Sequence, residues 1–336
     1  MDTHSDSLTG ARLGRIVRLL SNHATMVVSG TRIAQELGTS RSEVWRAIQQ
    51  LRELGVQIAG HPATGYRLEA VPDLLLPEIL EPLIGGTLFA GHIHHYFRVG
   101  STNTAAMQAA GAGEPEGAVF VTEQQTAGRG RGGHNWASEK SVGIYCSVVF
   151  RPRLSPADAL LLSLIAGIAV HDSVQSVTGL HPDLRWPNDV LFEERKFCGI
   201  LTEMNAEATR VRHVVVGIGI NVNQPSFPAE LEPIATSLLL QSGRSWSRVH
   251  LAAALLQSLD SEYRGLIAGG VDARSAIFRK FEERSSFARN RYVHVDEDGG
   301  YEGVTEGLDN RGFLLVRTQQ GLRTVFSGGV RALAGR

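Results

Sequence analysis

The sequence predicts an α+β fold in three parts, and three observations carry that expectation. A capped helical pattern surrounds a glycine between residues 30 and 55. Strand-rich and helix-rich stretches from 92 to 285 do not alternate strictly, and short β segments with paired turn residues fill 287–333. With 336 residues the chain is long enough for two or three cores. The expected boundaries are 1–70 for a winged helix-turn-helix, 71–286 for a central mixed β-sheet with helices, and 287–336 for a small β-barrel.

In the first part, Ile33, Ala34 and Leu37 precede Gly38, which breaks the helix. Ser40 then offers an N-cap with Glu43 three residues on, the spacing of a capping box. Val44, Ile48 and Leu51 recur at helical spacing until Gly55. Two short helices about a glycine turn form a helix-turn-helix pattern. The stretch VQIAGHPATGYRLE alternates, turns at Pro62–Gly65 and alternates again, as a hairpin wing would. Residues 1–70 carry eight arginines against six acids, with Arg41, Arg46 and Arg52 on the second helix. DNA binding is therefore expected through Ser40, Arg41, Ser42, Glu43 and Arg46, with Ser40–Leu54 in the major groove and two half-sites. A helical interaction module with a solvated face is the competing reading.

A proline-punctuated connector follows at 72–84. The central part has β-rich GAVFVTEQQ and GIYCSVVFR on either side of a glycine loop. A long helix is expected from Ser155 as cap through Pro156 and Asp158 to Gly179, and VRHVVVGIGINVN reads as a buried strand. Turns at Asp298–Gly300 and Asp309–Gly312 punctuate the last part.

A net charge of −1 excludes a chain that binds polyanions over its whole surface. Cys146 and Cys198 stand far apart without a CxxC, so neither a zinc knuckle nor a disulfide framework is expected. With no apolar N-terminal segment and no long uninterrupted apolar run, a cytoplasmic protein without a membrane partner is expected.

The chemistry concentrates in a few stretches. QQTAGRGRGGHNW (124–136) sets Gly128, Gly130, Gly132 and Gly133 among Arg129 and Arg131. Bare backbone N–H groups beside guanidinium forks suit a phosphate or carboxylate. The GxGxxG within it leads into another β run and not a helix, which argues against a dinucleotide fingerprint, and no lysine follows a GxxxxG. Ser101, Thr102 and Asn103 stand at a strand-to-helix junction, where a helix N-cap is the plainer role. Arg185, Trp186, Asn188 and Asp189 flank a proline between apolar runs. Lysine occurs only at 140, 196 and 280 against thirty arginines, so Lys196 beside WPND reads as a selected point charge. His92 and His94 share a strand face without a nearby carboxylate or cysteine in sequence, and no metal site is expected.

GSTN (100–103), QTAGRGRGG (125–133) with Trp136, WPND (186–189), RK-x-x-GIL-x-E (195–203) and GIGINVN (217–223), in that order, resemble the motifs of the biotin protein ligases. With the winged helix before them and the barrel after, the chain resembles the bifunctional ligase/biotin-operon repressor subgroup over essentially its whole length. The resemblance implies a central domain like the class II aminoacyl-tRNA synthetases and an SH3-like C-terminal domain. It implies that biotin and ATP give biotinyl-5′-AMP, with Mg²⁺ accompanying ATP, and that a lysine of a biotin carboxyl carrier protein then takes the biotin. It also implies an operator DNA and a homodimer when the adenylate is bound. By resemblance, Lys196, Arg131 and Asp189 are catalytic, Asp189 either orienting Lys196 or receiving the amine proton. Ser101, Thr102, Asn103, Gln125, Arg129, Gly130, Arg131, Lys196 and Gly199 meet biotin. Gly128, Arg129, Arg131, Trp136, Asn188, Lys196 and Asn221 meet ATP or the adenylate, Asn188 beside the Mg²⁺. Gly199, Gly217 and Gly219 are expected to let the backbone approach the ligand. Trp136 either flanks the adenine or closed loop, or simply packs.

Three positions depart from the pattern: Arg185 where many relatives have lysine, Cys198 at a usual alanine, and His134–Asn135 at a usual basic pair. A lipoate or octanoyl ligase or transferase of the same superfamily is the first alternative. The others are a biotin-sensing regulator without ligase activity and a ligase whose winged helix no longer binds DNA.

Overall fold

Two serines start the helices of the N-terminal unit. Ser29 Oγ accepts the Arg32 N–H at 3.1 Å, and Ser40 and Glu43 form the expected reciprocal capping box. The structure, a computed structural model, describes residues 3–23, 26–61, 64–70 and 73–333. Helices α1 (Thr3–Ser21), α2 (Gly30–Leu37) and α3 (Arg41–Glu53) enclose Leu13, Ile16, Val17, Ile33, Val44, Ile48 and Leu51. Gly38 ends α2 with φ 63, in the left-handed region glycine tolerates. Strands β1 (Ile58–His61) and β2 (Gly65–Leu68) make the antiparallel wing, to which Val28 adds a bridge at Tyr66. Of the expected wing turn, residues 62 and 63 lie outside the described residues.

The connector does not divide two independent cores at residue 70. Leu74 and Leu76 pack into the N-terminal core while Leu75 between them joins the central one, as alternate residues of extended chain must. Helix α4 (Pro77–Leu80) follows and lies against α1 at Gly14, where a Cβ would stand 2.3 Å from Glu78 Oε2.

The central part comprises β3 (Ile93–Tyr96), α5 (Thr102–Gly111), β4 (Val119–Thr122), β5 (Gly143–Phe150), α6 (Leu160–Thr178), β6 (Asp183–Arg185), β7 (Asp189–Phe192), β8 (Arg195–Ala206), β9 (Val211–Asn221), α7 (Leu238–Ser242), α8 (Arg248–Ala268) and α9 (Gly270–Glu283). Its strands order as β3-β4-β5-β9-β8-β7-β6, parallel only at β3–β4, which is the mixed sheet expected. Strand β5 is buried at all eight residues because both faces are covered. Helix α5 packs on one face through Ala106 and Ala110, against Phe120, Val149 and Val215. On the other, α6, α8 and α9 share one core with Val119, Val121, Ile144 and Val216. Each fully buried aliphatic side chain there contributes on the order of 1.5–3 kcal/mol.

One expectation about α6 needs correction. Pro156–Asp158 form a separate 3-10 turn, and α6 begins at Leu160 without a side-chain cap, because Ser155 Oγ donates to Asp158 at 2.8 Å instead. The stretch Pro156–Thr178 is long and apolar enough on average to cross a membrane, although Asp158, Ser163, His171 and Asp172 interrupt its apolar run. Burial of 78% of its apolar window explains the composition: a helix enclosed by protein on all sides needs no polar stripe.

The last part contains β10 (Arg289–Val295), β11 (Tyr301–Leu308), β12 (Leu314–Thr318), β13 (Gly321–Val325) and β14 (Val330–Ala332), all antiparallel, in the order β13-β12-β11-β10-β14. Among the described residues β13 and β14 do not pair, so the expected barrel is an open five-stranded sheet by its hydrogen bonds. Its inward side chains, Val293, Val295, Leu314, Val316 and Val325, belong to the same core as α9, and Trp186 Nε1 donates to Gly312 O at 2.9 Å across that boundary.

Candidate active site

The start of α5, the glycine–arginine loop, the β6–β7 turn and the centres of β8 and β9 meet at one place. A chain of hydrogen bonds joins them. Thr102 N donates to Gln125 Oε1 at 2.9 Å, and Gln125 Nε2 donates to Ser138 Oγ at 2.8 Å. Ser147 Oγ lies 2.7 Å from Thr102 Oγ1 and 2.6 Å from Asn103 Oδ1. Asn103 Nδ2 donates to Glu203 Oε2 at 3.0 Å and to Leu201 O at 3.3 Å. Ser101, Thr102 and Asn103 are all buried, so these bonds replace lost water. Ser101 makes no side-chain cap, although it occupies the N-cap position of α5.

Two cavities open from this point. A narrow one of about 40 Å³ is walled by Ser101, Asn103, Gln125 and Gly217. A larger one of about 650 Å³ extends past Arg185 and Asp189 to the C-terminal segment Gly328–Arg331. Gly130, Arg131, Trp136, Asn188 and Lys196 line both and therefore mark their junction.

Lys196 Nζ is 2.5 Å from Asp189 Oδ1, and Arg185 Nη2 donates to Asp189 Oδ2 at 2.6 Å. Burial would raise the Asp189 pKa, but the Lys196 ammonium and the Arg185 guanidinium outweigh it and hold the carboxyl below the usual range. Such a carboxylate is a poor proton acceptor and a good anchor for a lysine. Cys198, the departure from alanine, is buried with its thiol pushed far up by burial, which makes it inert packing.

The glycines of β8 and β9, Gly199, Gly217 and Gly219, line the narrow cavity, and they also leave space that neighbouring side chains fill. A Cβ at Gly217 would stand 2.0 Å from Asn103 Oδ1, and one at Gly219 2.5 Å from Trp136 Nε1. At Gly199 it would meet Lys196 and Trp136 within 3.0 Å. Trp136 thus packs against β-sheet glycines, with its ring centroid 5.5 Å from Lys196 Nζ. Its Nε1 is buried without a hydrogen-bond partner among the described residues. Trp136 packs on the sheet and walls both cavities at once.

The loop arginines point apart. Arg129 pairs with Glu203, while Arg131 Nη1 donates to Gly328 O at 3.1 Å, reaching the C-terminal sheet. Gly128 is buried against Trp136 O, and the loop closes on itself through Gly130 N to His134 O at 2.7 Å. Asn188 Nδ2 donates to Ile200 O at 2.9 Å, which leaves its amide oxygen as a hard donor. Among the described residues no cluster of three or more acids, histidines or cysteines could hold a metal. A Mg²⁺ here fits only as an ion carried mainly by phosphate oxygens and water, with Asn188 as one ligand. Asn221 lines the larger cavity, but its amide is spent on Thr236 O and Gln224.

Sequence reasoning missed Glu203, Ser138, Ser147 and the Gly328–Arg331 wall. Glu203 ends a quoted motif and was open to discovery. The C-terminal wall was not, since nearly two hundred residues separate it from the loop it faces.

A second polar cluster lies under the loop. Glu123 is fully buried at its start, and its Oε2 stands 2.8 Å from Arg248 Nη1. Arg248 Nη1 also donates to Gly143 O at 3.2 Å, where the loop ends, and Arg248 bonds Asp73 of the connector. Glu123 Oε1 accepts from Leu75 N at 2.9 Å and faces His95 Nε2 at 3.3 Å. The histidine run thus does meet carboxylates, contrary to its sequence reading: His94 also pairs with Glu114 at 2.7 Å.

On α3, Arg41, Ser42 and Arg46 are exposed together with Trp45, which the sequence reading passed over. Glu43 is committed to the cap: bonds from Thr39 and Ser40 lower its pKa to about 2. Arg52 folds back onto Ile58 O at 2.8 Å, so it fastens the wing and leaves the free charge to Arg41 and Arg46.

Residues 97–221 match the biotin/lipoate A/B protein ligase family, and residues 12–67 match the HTH domain. The bifunctional ligase/repressor BirA of Bacillus spizizenii is 34% identical over 94% of this chain and 97% of its own length. Its namesake in Bacillus subtilis is 32% identical over the same shares. The structure of the biotin protein ligase from Aquifex aeolicus in complex with biotin and ATP superposes with a TM-score of 0.62. It is 27% identical and covers 73% of this chain and all of its own.

Proposed function

This chain belongs to the biotin protein ligase family, in the branch that joins a ligase to a helix-turn-helix repressor domain, and on that premise we propose how its residues divide the work. It is a biotin protein ligase that uses biotin and ATP. The narrow cavity marks the biotin site, with the ureido ring toward Ser101, Thr102, Asn103 and Gln125, and at about 40 Å³ it must widen to admit the ligand. The larger cavity takes ATP, with Trp136 and Asn188 at the junction. The observation that carries this assignment is the place of Lys196, whose ammonium lines both cavities while Asp189 holds it.

In the first step the biotin carboxylate attacks the α-phosphorus and pyrophosphate leaves, giving biotinyl-5′-AMP. Lys196 offsets the charge that gathers between the two anions, a task for a compact cation in a water-poor site. Asp189 orients Lys196. Mg²⁺, when bound with ATP, supplies charge neutralisation on the phosphates. Arg129, Arg131 and the amides of Gly128 and Gly130 then cover the mixed anhydride against water. In the second step an uncharged lysine amine of a biotin carboxyl carrier protein attacks the acyl carbon, AMP leaves, and the surplus proton of the amine passes to solvent. Gly199 leaves the space that the Lys196 and Trp136 side chains occupy beside the reacting centre.

Incubation with ATP, Mg²⁺, biotin and a biotin-carrier domain tests this directly. A carrier mass increased by one biotinyl group is expected, and an unchanged carrier mass would sink the reading. The exposed face of α3 is proposed to enter the major groove of an operator, as a homodimer when the adenylate is bound. The need for ATP, carrier and operator supports a cytoplasmic location as part of this reading. Deleting residues 1–70 should abolish operator binding and keep ligase activity, at some cost in stability because Leu74 and Leu76 lose their core. Equal, weak operator binding by full-length and truncated protein at low salt would rule out the repressor half.

A further inference from the structure

Glu203 ends the motif that begins at Arg195, and the division of labour above gives it nothing to do. Its carboxylate makes two kinds of contact. On one side Oε2 accepts from Asn103 Nδ2 at 3.0 Å, and Asn103 is only 4% exposed and wedged against Gly217. On the other, Arg129 Nη2 donates to Oε1 at 2.8 Å and Nη1 to Oε2 at 3.3 Å, with half of the Arg129 side chain in solvent. One contact is therefore fixed by packing. The other is a solvent-facing ion pair on a loop of glycines, at the mouth of the cavity that Arg129 also lines.

We propose that Glu203 is a positioning residue that competes with the anionic group of the substrate for Arg129, an inference that rests on the ligase reading above. A carboxylate or phosphate entering the cavity presents Arg129 with a second fork acceptor, equivalent in chemistry to Glu203. Arg129 then crosses from Glu203 to the ligand, and the loop follows it inward. Glu203 stays in place on Asn103. The ion pair thus sets a threshold for loop closure that only an anionic ligand meets. An uncharged ligand of the same shape leaves Arg129 where it is.

Calorimetric titration with biotin and with biotinol, its uncharged alcohol, distinguishes this role from a structural one. Glu203→Gln keeps the acceptor for Asn103 and removes the competing charge. It should bind biotin about twofold to fivefold more tightly, the span expected for a half-exposed pair, and bind biotinol as the wild type does. In an Arg129→Ala background the same substitution should change neither affinity. Equal shifts for biotin and biotinol would overturn the proposal, since they would place the effect on Asn103, and no shift in either would show the pair to be idle. Should Glu203→Gln fail to fold, Glu203→Asp draws the charge back by one methylene and is expected to change the biotin-to-biotinol ratio in the same direction. An unchanged ratio again overturns the proposal. A wild type that binds neither ligand would sink the ligase reading and this inference with it.

Discussion

The glycine–arginine loop is held at its base and at its tip by ion pairs of opposite character. At the base, Glu123 and Arg248 have side chains 0% and 1% exposed, and they reach both ends of the loop and the connector to the N-terminal unit. At the tip, Arg129 is half in solvent on Glu203, and Arg131 has one carbonyl across a domain boundary. A buried pair costs several kcal/mol to break because the survivor stays charged and dry, whereas an exposed pair contributes about 0–1 kcal/mol. The loop therefore leaves the sheet at a fixed point and carries a tip whose partners can be exchanged. Fixed origin and exchangeable end are what a covering segment over a labile intermediate requires.

The largest effect is expected at the base. Arg248→Met strands the Glu123 carboxylate in the core and should lose about 3–5 kcal/mol. That corresponds to a fall in melting temperature on the order of 10 °C. The double variant with Glu123→Met should recover much of it. Melting of Arg248→Met within a degree or two of wild type would erase the contrast between base and tip. The pair also has a pH signature. Burial pushes the Glu123 pKa up, but the His95 bond and the Arg248 charge more than reverse this, taking it from the ordinary 4.5 to about 2. Its folded value lies below its unfolded one, so its stabilisation is complete above about pH 5 and is lost as pH falls toward 2. Glu123→Gln should flatten the acid limb of a stability-versus-pH curve, and an identical limb would deny Glu123 that share.

Lys196 stands between these extremes, partly buried at the junction. Lys196→Ala should cost adenylate formation on the order of 10²-fold or more, as for other removed transition-state donors. Stability should change little, because Arg185 still neutralises Asp189 at 2.6 Å. Single-turnover adenylation separates the two, and a folded variant with wild-type turnover would take Lys196 out of the chemistry.

The sequence made the local features legible and left the long-range ones hidden. The Ser40–Glu43 box, Gly38, the glycine turns of the last part and the order of the five motifs are short-range patterns, set by neighbours along the chain. The mixed sheet followed from the lack of strict alternation. Missed were contacts whose partners lie far apart: Arg131 on Gly328, Glu123 on Arg248, and Leu74 with Leu76 in the N-terminal core. The β-strand glycines line the narrow cavity as their pattern suggested, but the packing of Trp136 and Asn103 against them could not be read from the sequence. The return of the Arg52 side chain to Ile58 O was equally hidden, because helical spacing gives a direction for its Cα and none for the end of a long side chain.

The smallest effect is expected at the tip, and it is the one that sharpens the contrast most. Arg131→Gly removes a single charged donor whose partner in this structure, Gly328 O, is solvent-accessible backbone. Folding should be almost unaffected, since an exposed bond of this kind contributes at most about 1 kcal/mol. Covering of the adenylate should still suffer, because the loop loses both its cation for the phosphate and its contact with the C-terminal sheet. Biotinyl-5′-AMP is then expected to escape roughly fivefold to tenfold faster, a change of about 1–1.4 kcal/mol. The released mixed anhydride acylates any exposed amine, so biotin should appear on proteins other than the carrier. Added salt should raise the wild-type escape rate toward that of the variant by screening Arg131, and should leave the melting temperature set by Arg248 unchanged. Adenylate release measured by rapid filtration, with labelling of a bystander protein alongside, reads both consequences. Escape at the wild-type rate with biotin confined to the carrier lysine would mean that the tip does not cover the intermediate, whatever holds its base.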